Sequence, residues 1–158
     1  MARTKRSRQH ERVRETPAAR YKAEASRPAL NGVLLDTDVV IEVLRGRSAV
    51  TEALIGLARD GVPTFCTAVT WAEVFAGLRR GEELLTEEFL GARGEVVIDS
   101  RTGRRAGRYL AAHARSHHLE LADALIAAAA TTSGLRLWTR NRKHYPMRDL
   151  RFWSPDEQ

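Results

Sequence analysis

The segment VLLDTDVVI, residues 33–41, decides the fold. Val33 to Leu35 form an unbroken apolar run, Asp36 to Asp38 are polar, and an apolar pattern of helical period resumes at Val39. A short, uninterrupted apolar run bounded by polar residues reads as a strand buried on both faces, the kind found in parallel sheets. Such a strand delivers Asp36 to its carboxyl end, with Thr37 or Asp38 expected to cap the next helix. In an open α/β sheet, the crevice beyond the strand ends is where ligands and catalytic groups collect. Asp36 is therefore the first candidate for chemistry, and a plain capping role is its structural alternative.

The rest of the chain repeats the strand-then-helix rhythm. VVIEVLRG reads as a short helix ended by Gly46, and Ser48 is expected to cap a second helix that ends at Gly61. Pro63 to Val69 is rich in β-formers and reads as a second strand, followed by a helix from Thr70 to Gly81. An acidic helix begins near Glu82. EVVIDS reads as a third strand ending at Asp99, whose expected role is a cap for the long amphipathic helix after it. LADALIAAAATTSG is almost wholly small and apolar, hence a buried helix that neighbours approach closely. LRLWT supplies a fourth strand, NRKHYPM a short turn or helix, and LRFW a final edge strand. Alternating strands and helices without hairpin signals predict a single three-layer α/β domain, a parallel central sheet flanked by helices, over residues 31–158.

The 158 residues suffice for one ordinary domain. The net charge of +6 is unevenly placed: residues 1–30 hold nine of the 26 basic residues and three of the 20 acidic ones, so the remaining 17 of each sign cancel. Residues 1–30 contain few large apolar side chains and are expected to form a basic, disordered extension, either a nucleic-acid-binding arm or dispensable. The lone cysteine, Cys66, excludes an internal disulfide and suits a reducing cytoplasm. Neither a long apolar span nor the apolar core of a signal peptide is present, so a soluble protein without membrane attachment is expected.

Three carboxylates fall where this architecture can gather them. Asp36 ends the first strand, Glu73 lies in the first turn expected for the helix after the second strand, and Asp123 opens the Ala-rich helix. Asn141 follows the fourth strand directly. Each has a structural alternative: Thr70 and Glu73 match a capping box, Asp123 can cap its helix, and Asn141 suits a turn. Against these readings, Glu73 and Asp123 are set in strongly apolar helix sequence. Carboxylates clustered about 4 Å apart repel by ~4 kcal/mol per pair at an effective dielectric near 20. Such a cluster calls for a cation, and an all-oxygen donor set selects Mg²⁺ or Mn²⁺.

The motifs LLDTDVVIEVL, TAVTWAEVFAGL and LADALIAAAATTSGLRLWTRNRKHY, in that order and spacing over residues 33–154, resemble those of PIN-domain ribonucleases, in particular the VapC toxins of type II toxin–antitoxin systems. The resemblance implies a PIN-like fold in which Asp36, Glu73 and Asp123 hold the divalent metal. Asn141 then stands at a fourth catalytic position that is acidic in many relatives. The implied activity is Mg²⁺-dependent endoribonucleolytic hydrolysis of RNA by a toxin, with a small cognate antitoxin and a toxin homodimer as partners. Asp38 is expected to act behind the ligands or as a cap. Arg79, Arg80, Arg140, Arg142 and Lys143 are candidates for phosphate contacts, each with a solvated surface charge as its alternative.

Two other readings compete. Asp36 and Asp38 fit the D-x-D strand end of a haloacid-dehalogenase-like phosphatase, but no lysine lies between Lys22 and Lys143 to serve that chemistry. A non-catalytic nucleic-acid-binding module would use the basic extension and have no need of the three carboxylates.

Overall fold

The computed structural model describes residues 30–157. The basic extension falls almost entirely outside them.

Four strands, β1 (Val33–Leu35), β2 (Thr64–Thr67), β3 (Gly94–Val96) and β4 (Arg136–Trp138), form one parallel sheet in the order β3-β2-β1-β4. Its register pairs Leu34 with Phe65 on one side and with Leu137 on the other. Six helices connect the strands: α1 (Thr37–Leu44) and α2 (Ser48–Arg59) between β1 and β2, α3 (Ala68–Ala76) and α4 (Glu83–Gly91) between β2 and β3, and α5 (Ser100–His117) and α6 (Leu121–Ser133) between β3 and β4. Among the described residues no helix is long and apolar enough to cross a membrane.

The two-residue period of β1 divides the core. Val33 and Leu35 point to one face, where they pack with Val39 and Val40 of α1, Leu54 and Leu57 of α2, Val74 of α3 and Leu90 of α4. Leu34 points to the other, against Ala106 and Tyr109 of α5 and the run Ala127 to Ala130 of α6. All three β1 residues are fully buried, as a central strand covered on both faces requires. The expected three-layer α/β domain with a parallel central sheet is thus the observed architecture.

Local differences from the expected elements have identifiable causes. Helix α1 starts one residue after β1, and Asp36 itself is the N-cap, its side chain accepting from the Thr37 N–H; neither Thr37 nor Asp38 takes that place. Strand β2 stops at Thr67, because the Thr67 side chain accepts from the Thr70 N–H and begins α3 at Ala68, two residues early. The segment expected as an edge strand makes a single bridge, Leu137 to Phe152. Asp99 caps α5 as expected, through the Thr102 N–H at 2.9 Å. Gly94 lets β3 lie close to β2: a Cβ there would meet the Phe65 ring at 2.4 Å.

Sheet order places the strand ends that matter. The chain leaves β1 for β2 on one side, and β4 is inserted on the other, so the order reverses between β1 and β4. At such a reversal the loops after neighbouring strands part and leave a crevice. The residues following β1 and β4 face each other across it.

Candidate metal centre

Asp36 is delivered to the crevice by β1 and anchored twice. Its backbone N–H donates to Trp138 O at 2.9 Å, and its Oδ1 accepts from the Thr37 N–H at 2.8 Å. Its Oδ2 accepts from the Tyr145 hydroxyl at 2.8 Å. Only 7% of Asp36 is exposed.

Glu73 and Asp123 reach the same cleft from two other elements. Because α3 begins at Ala68, Glu73 lies beyond the first helical turn and cannot be the partner of a capping box at Thr70. It is exposed, and the Thr37 hydroxyl donates to its Oε2. Asp123 sits in the first turn of α6, whose N-cap residue is Glu120. Its Oδ1 lies 3.5 Å from the Tyr145 hydroxyl and its Oδ2 lies 3.8 Å from His144 Nδ1. The cleft, ≈ 360 Å³, is lined by Asp36, Asp38, Glu73, Asp123 and Asn141 together with His144 and Tyr145. Four side chains singled out from sequence, remote along the chain, thus share one cavity. Asn141 contributes an amide whose Nδ2 is 3.2 Å from His144 Nε2.

The electrostatics are those of a crowded anionic site. Burial, followed by the charge of Asp36, pushes the Asp38 carboxyl up to about 6, against backbone N–H bonds that pull it down. Burial and Asp36 likewise raise Asp123; Glu120 and Glu73 add to that, and His144 opposes it. Burial and the neighbouring carboxylates hold the Tyr145 phenol far above its usual range, so it stays protonated and serves as a donor. Asp38 Oδ2 accepts from the Arg140 N–H at 3.0 Å and lies 3.4 Å from the Thr139 hydroxyl, while its Oδ1 is buried without a partner.

As the side chains stand, among the described residues no group of three or more His, Cys, Asp or Glu is arranged to hold a metal ion. The carboxylates ring the cleft, Tyr145 between two of them and Thr37 on the third. The chemistry of the donor set nevertheless fits a hard divalent cation. It offers carboxylate oxygens from three elements, and burial together with the charge of Asp36 raises the proton affinity of Asp123. Asp38 Oδ1 is a further buried oxygen without a partner. A cation relieves all of these at once.

Sequence reasoning did not pick out Tyr145, His144 or Thr139, and it offered Thr37 only as a cap. The segment holding Tyr145 reads only as a short turn or helix, and nothing in a single sequence says that a phenol hydroxyl from the segment after β4 will bond Asp36 at the end of β1. Asp38, expected behind the ligands or as a cap, secures the loop after β4. Arg140, a candidate phosphate contact, pairs with Glu42 of α1 at 2.8 Å. Arg142 lies over the Phe152 ring at 5.0 Å.

A four-stranded parallel sheet whose order reverses beside an acidic cleft defines the class, and residues 33–150 match the PIN domain model: the chain belongs to the PIN-domain family. It is 35% identical over 116 residues to Ribonuclease VapC10 of Mycobacterium tuberculosis, covering 73% of this chain and 86% of that protein. Among solved structures it is similar to a toxin–antitoxin complex from Klebsiella pneumoniae, with 26% identity and a TM-score of 0.62 over 78% of this chain and 98% of that one. The fold also matches a DNA-bound VapBC from Salmonella typhimurium, with a TM-score of 0.68 and 19% identity over 80% and 99% of the two chains. The phosphatase reading fails on both fold and site, since Asp38, its required acid, is committed to Arg140 and Thr139.

Proposed function

We propose that this chain is the toxin of a type II toxin–antitoxin system, an endoribonuclease that hydrolyses RNA phosphodiester bonds with Mg²⁺, for which Mn²⁺ substitutes. The observation that carries the reading is the gathering of Asp36, Glu73 and Asp123 into one cleft at the sheet's reversal, in a chain of the PIN-domain family similar to proteins named as ribonucleases.

In this reading Asp36, Glu73 and Asp123 hold the ion. A bound divalent cation supplies Lewis acidity for a phosphoryl oxygen and a water of lowered pKa. The protein's own groups set the stage. Asp36 is kept rigid by the Thr37 N–H and the Tyr145 hydroxyl. Glu73, exposed at the rim and accepting from the Thr37 hydroxyl, is in this reading either the third ligand or, where it is not tied to the ion, the acceptor of the attacking water's proton. Asn141 offers an uncharged amide to the substrate at the fourth position, and exposed Lys143 beside it is placed to meet a backbone phosphate. Asp38, at the wall of the cleft, fixes the loop that carries Asn141.

The partners that go with this reading are RNA, a small cognate antitoxin and a second copy of the chain, in the cytoplasm. The Klebsiella pneumoniae relative supports the antitoxin, since it was solved as a toxin–antitoxin complex. The test is cleavage of purified RNA by the isolated chain. EDTA abolishes it, and Mg²⁺ or Mn²⁺ restores it; cleavage that persists in EDTA overturns the mechanism.

A further inference from the structure

The hydroxyl of Tyr145 touches two of the three carboxylates, and nothing about packing explains it. Tyr145 is 3% exposed, and its ring meets Phe152 edge-on with centroids 6.4 Å apart. Phenylalanine would fill that space as well. A buried phenol needs a hydrogen-bond partner, and this one finds Asp36 Oδ2 at 2.8 Å, with Asp123 Oδ1 at 3.5 Å. The segment is built to bring it there: the turn Arg142–His144 closes through the Tyr145 N–H to Arg142 O at 3.0 Å and swings the ring under the cleft.

The consequence for Asp36 is geometric. Oδ1 is held by the Thr37 N–H at the start of α1, and Oδ2 by Tyr145 from the segment after β4. Two donors from different elements fix both side-chain torsions, yet each oxygen keeps a second lone pair for a ligand. The phenol has one proton, and the shorter distance commits it to Asp36. Asp123 faces the oxygen of the same hydroxyl, which sets the spacing between the two carboxylates.

We propose that Tyr145 is a positioning residue of the metal centre: its buried hydroxyl fixes the Asp36 carboxylate, and its spacing from Asp123, in the arrangement a divalent cation uses. The inference rests on the reading of Asp36 and Asp123 as metal ligands. Groups that hold a ligand from behind in this way typically change metal affinity 10–100-fold when removed.

The test is Mn²⁺ binding by the full chain without RNA, read as the loss of the free-ion paramagnetic resonance signal, for wild type, Tyr145→Phe and Asp36→Asn. Wild type binds and Asp36→Asn does not. Tyr145→Phe binds about 10-fold more weakly. The half-saturating Mn²⁺ concentration for RNA cleavage rises by the same factor, while the rate at saturating metal stays near wild type, a split that a general loss of structure does not produce. Replacing Tyr145 with 4-aminophenylalanine, which restores a donor in the same place, returns the affinity, and 4-fluorophenylalanine does not; this pair decides the matter if Tyr145→Phe fails to fold. A Tyr145→Phe affinity equal to wild type, with Asp36→Asn still inactive in binding, overturns the role of Tyr145 alone. Absence of Mn²⁺ binding by wild type, or binding undiminished in Asp36→Asn, overturns the metal centre beneath it.

Discussion

Asp38 Oδ2 accepts the backbone N–H of Arg140 at 3.0 Å, joining the first turn of α1 to the loop after β4 across 102 residues of sequence. The same oxygen lies 3.4 Å from the Thr139 hydroxyl, and that hydroxyl in turn accepts from the Asn141 N–H at 3.0 Å. One carboxylate thereby holds the loop that presents Asn141 to the cleft. It does so at a cost, since burial and Asp36 push its own pKa up to about 6.

Replacing this carboxylate separates its two effects. Asp38→Ala removes the acceptor and leaves the Arg140 N–H to water, so chemical denaturation should show a loss of about 1 kcal/mol. Asp38→Asn keeps an oxygen acceptor and removes the repulsion from Asp36, so its stability should lie closer to wild type or above it. Equal losses in the two variants would show that the charge, and not the acceptor, secures the loop.

A second carboxylate, Asp149, gives the pH dependence. Asp149 accepts from the Tyr109 hydroxyl at 3.0 Å and pairs with Arg105, joining α5 to the segment after β4. Burial alone would raise its pKa, but the bonds from Arg105 and Tyr109 outweigh that and hold it below the usual carboxylate range. A depressed folded-state pKa stabilises above the unfolded value, near 3.9, and that stability is lost as pH falls through the folded value. Asp149→Asn should therefore lower Tm at pH 7, and the gap to wild type should close as the pH drops below about 3.9. With the Asp149 side chain 45% exposed, the effect stays under about 1 kcal/mol. A gap that is constant from pH 7 to pH 2 would contradict it.

Much of this architecture is written in local pattern. The apolar triplet before Asp36 specifies a strand covered on both faces, and its alternating residues do divide the core in two. The Ala run of α6 likewise announces a helix packed tightly against the sheet. Asp36 and Asn141 were legible as candidates because they follow apolar strands directly, and Glu73 and Asp123 because they are set in strongly apolar helix sequence. What was not legible depends on competition between similar signals. Thr67 and Thr70 both suit an N-cap, and only tertiary placement selects Thr67, which moves Glu73 out of the first turn and into reach of Thr37. Phe152 pairs through one bridge because the adjoining segment turns inward to bury Trp153 against Trp138, with centroids 4.4 Å apart. Tyr145 was hidden for the same reason: its partner is 109 residues away.

In the proposed reaction, Asp36, Glu73 and Asp123 act together on RNA through one divalent cation. The most direct measurement is the rate of RNA cleavage by Asp123→Asn, purified without its partner and compared with wild type at saturating Mg²⁺, with circular dichroism and Tm confirming the fold. Asp123 is half-buried in the first turn of α6 and contributes no capping bond there, so the fold should survive the change. The Asp123→Asn rate should be lower by about 100-fold or more, unrescued by further metal. Cleavage by Asp123→Asn at the wild-type rate would contradict it.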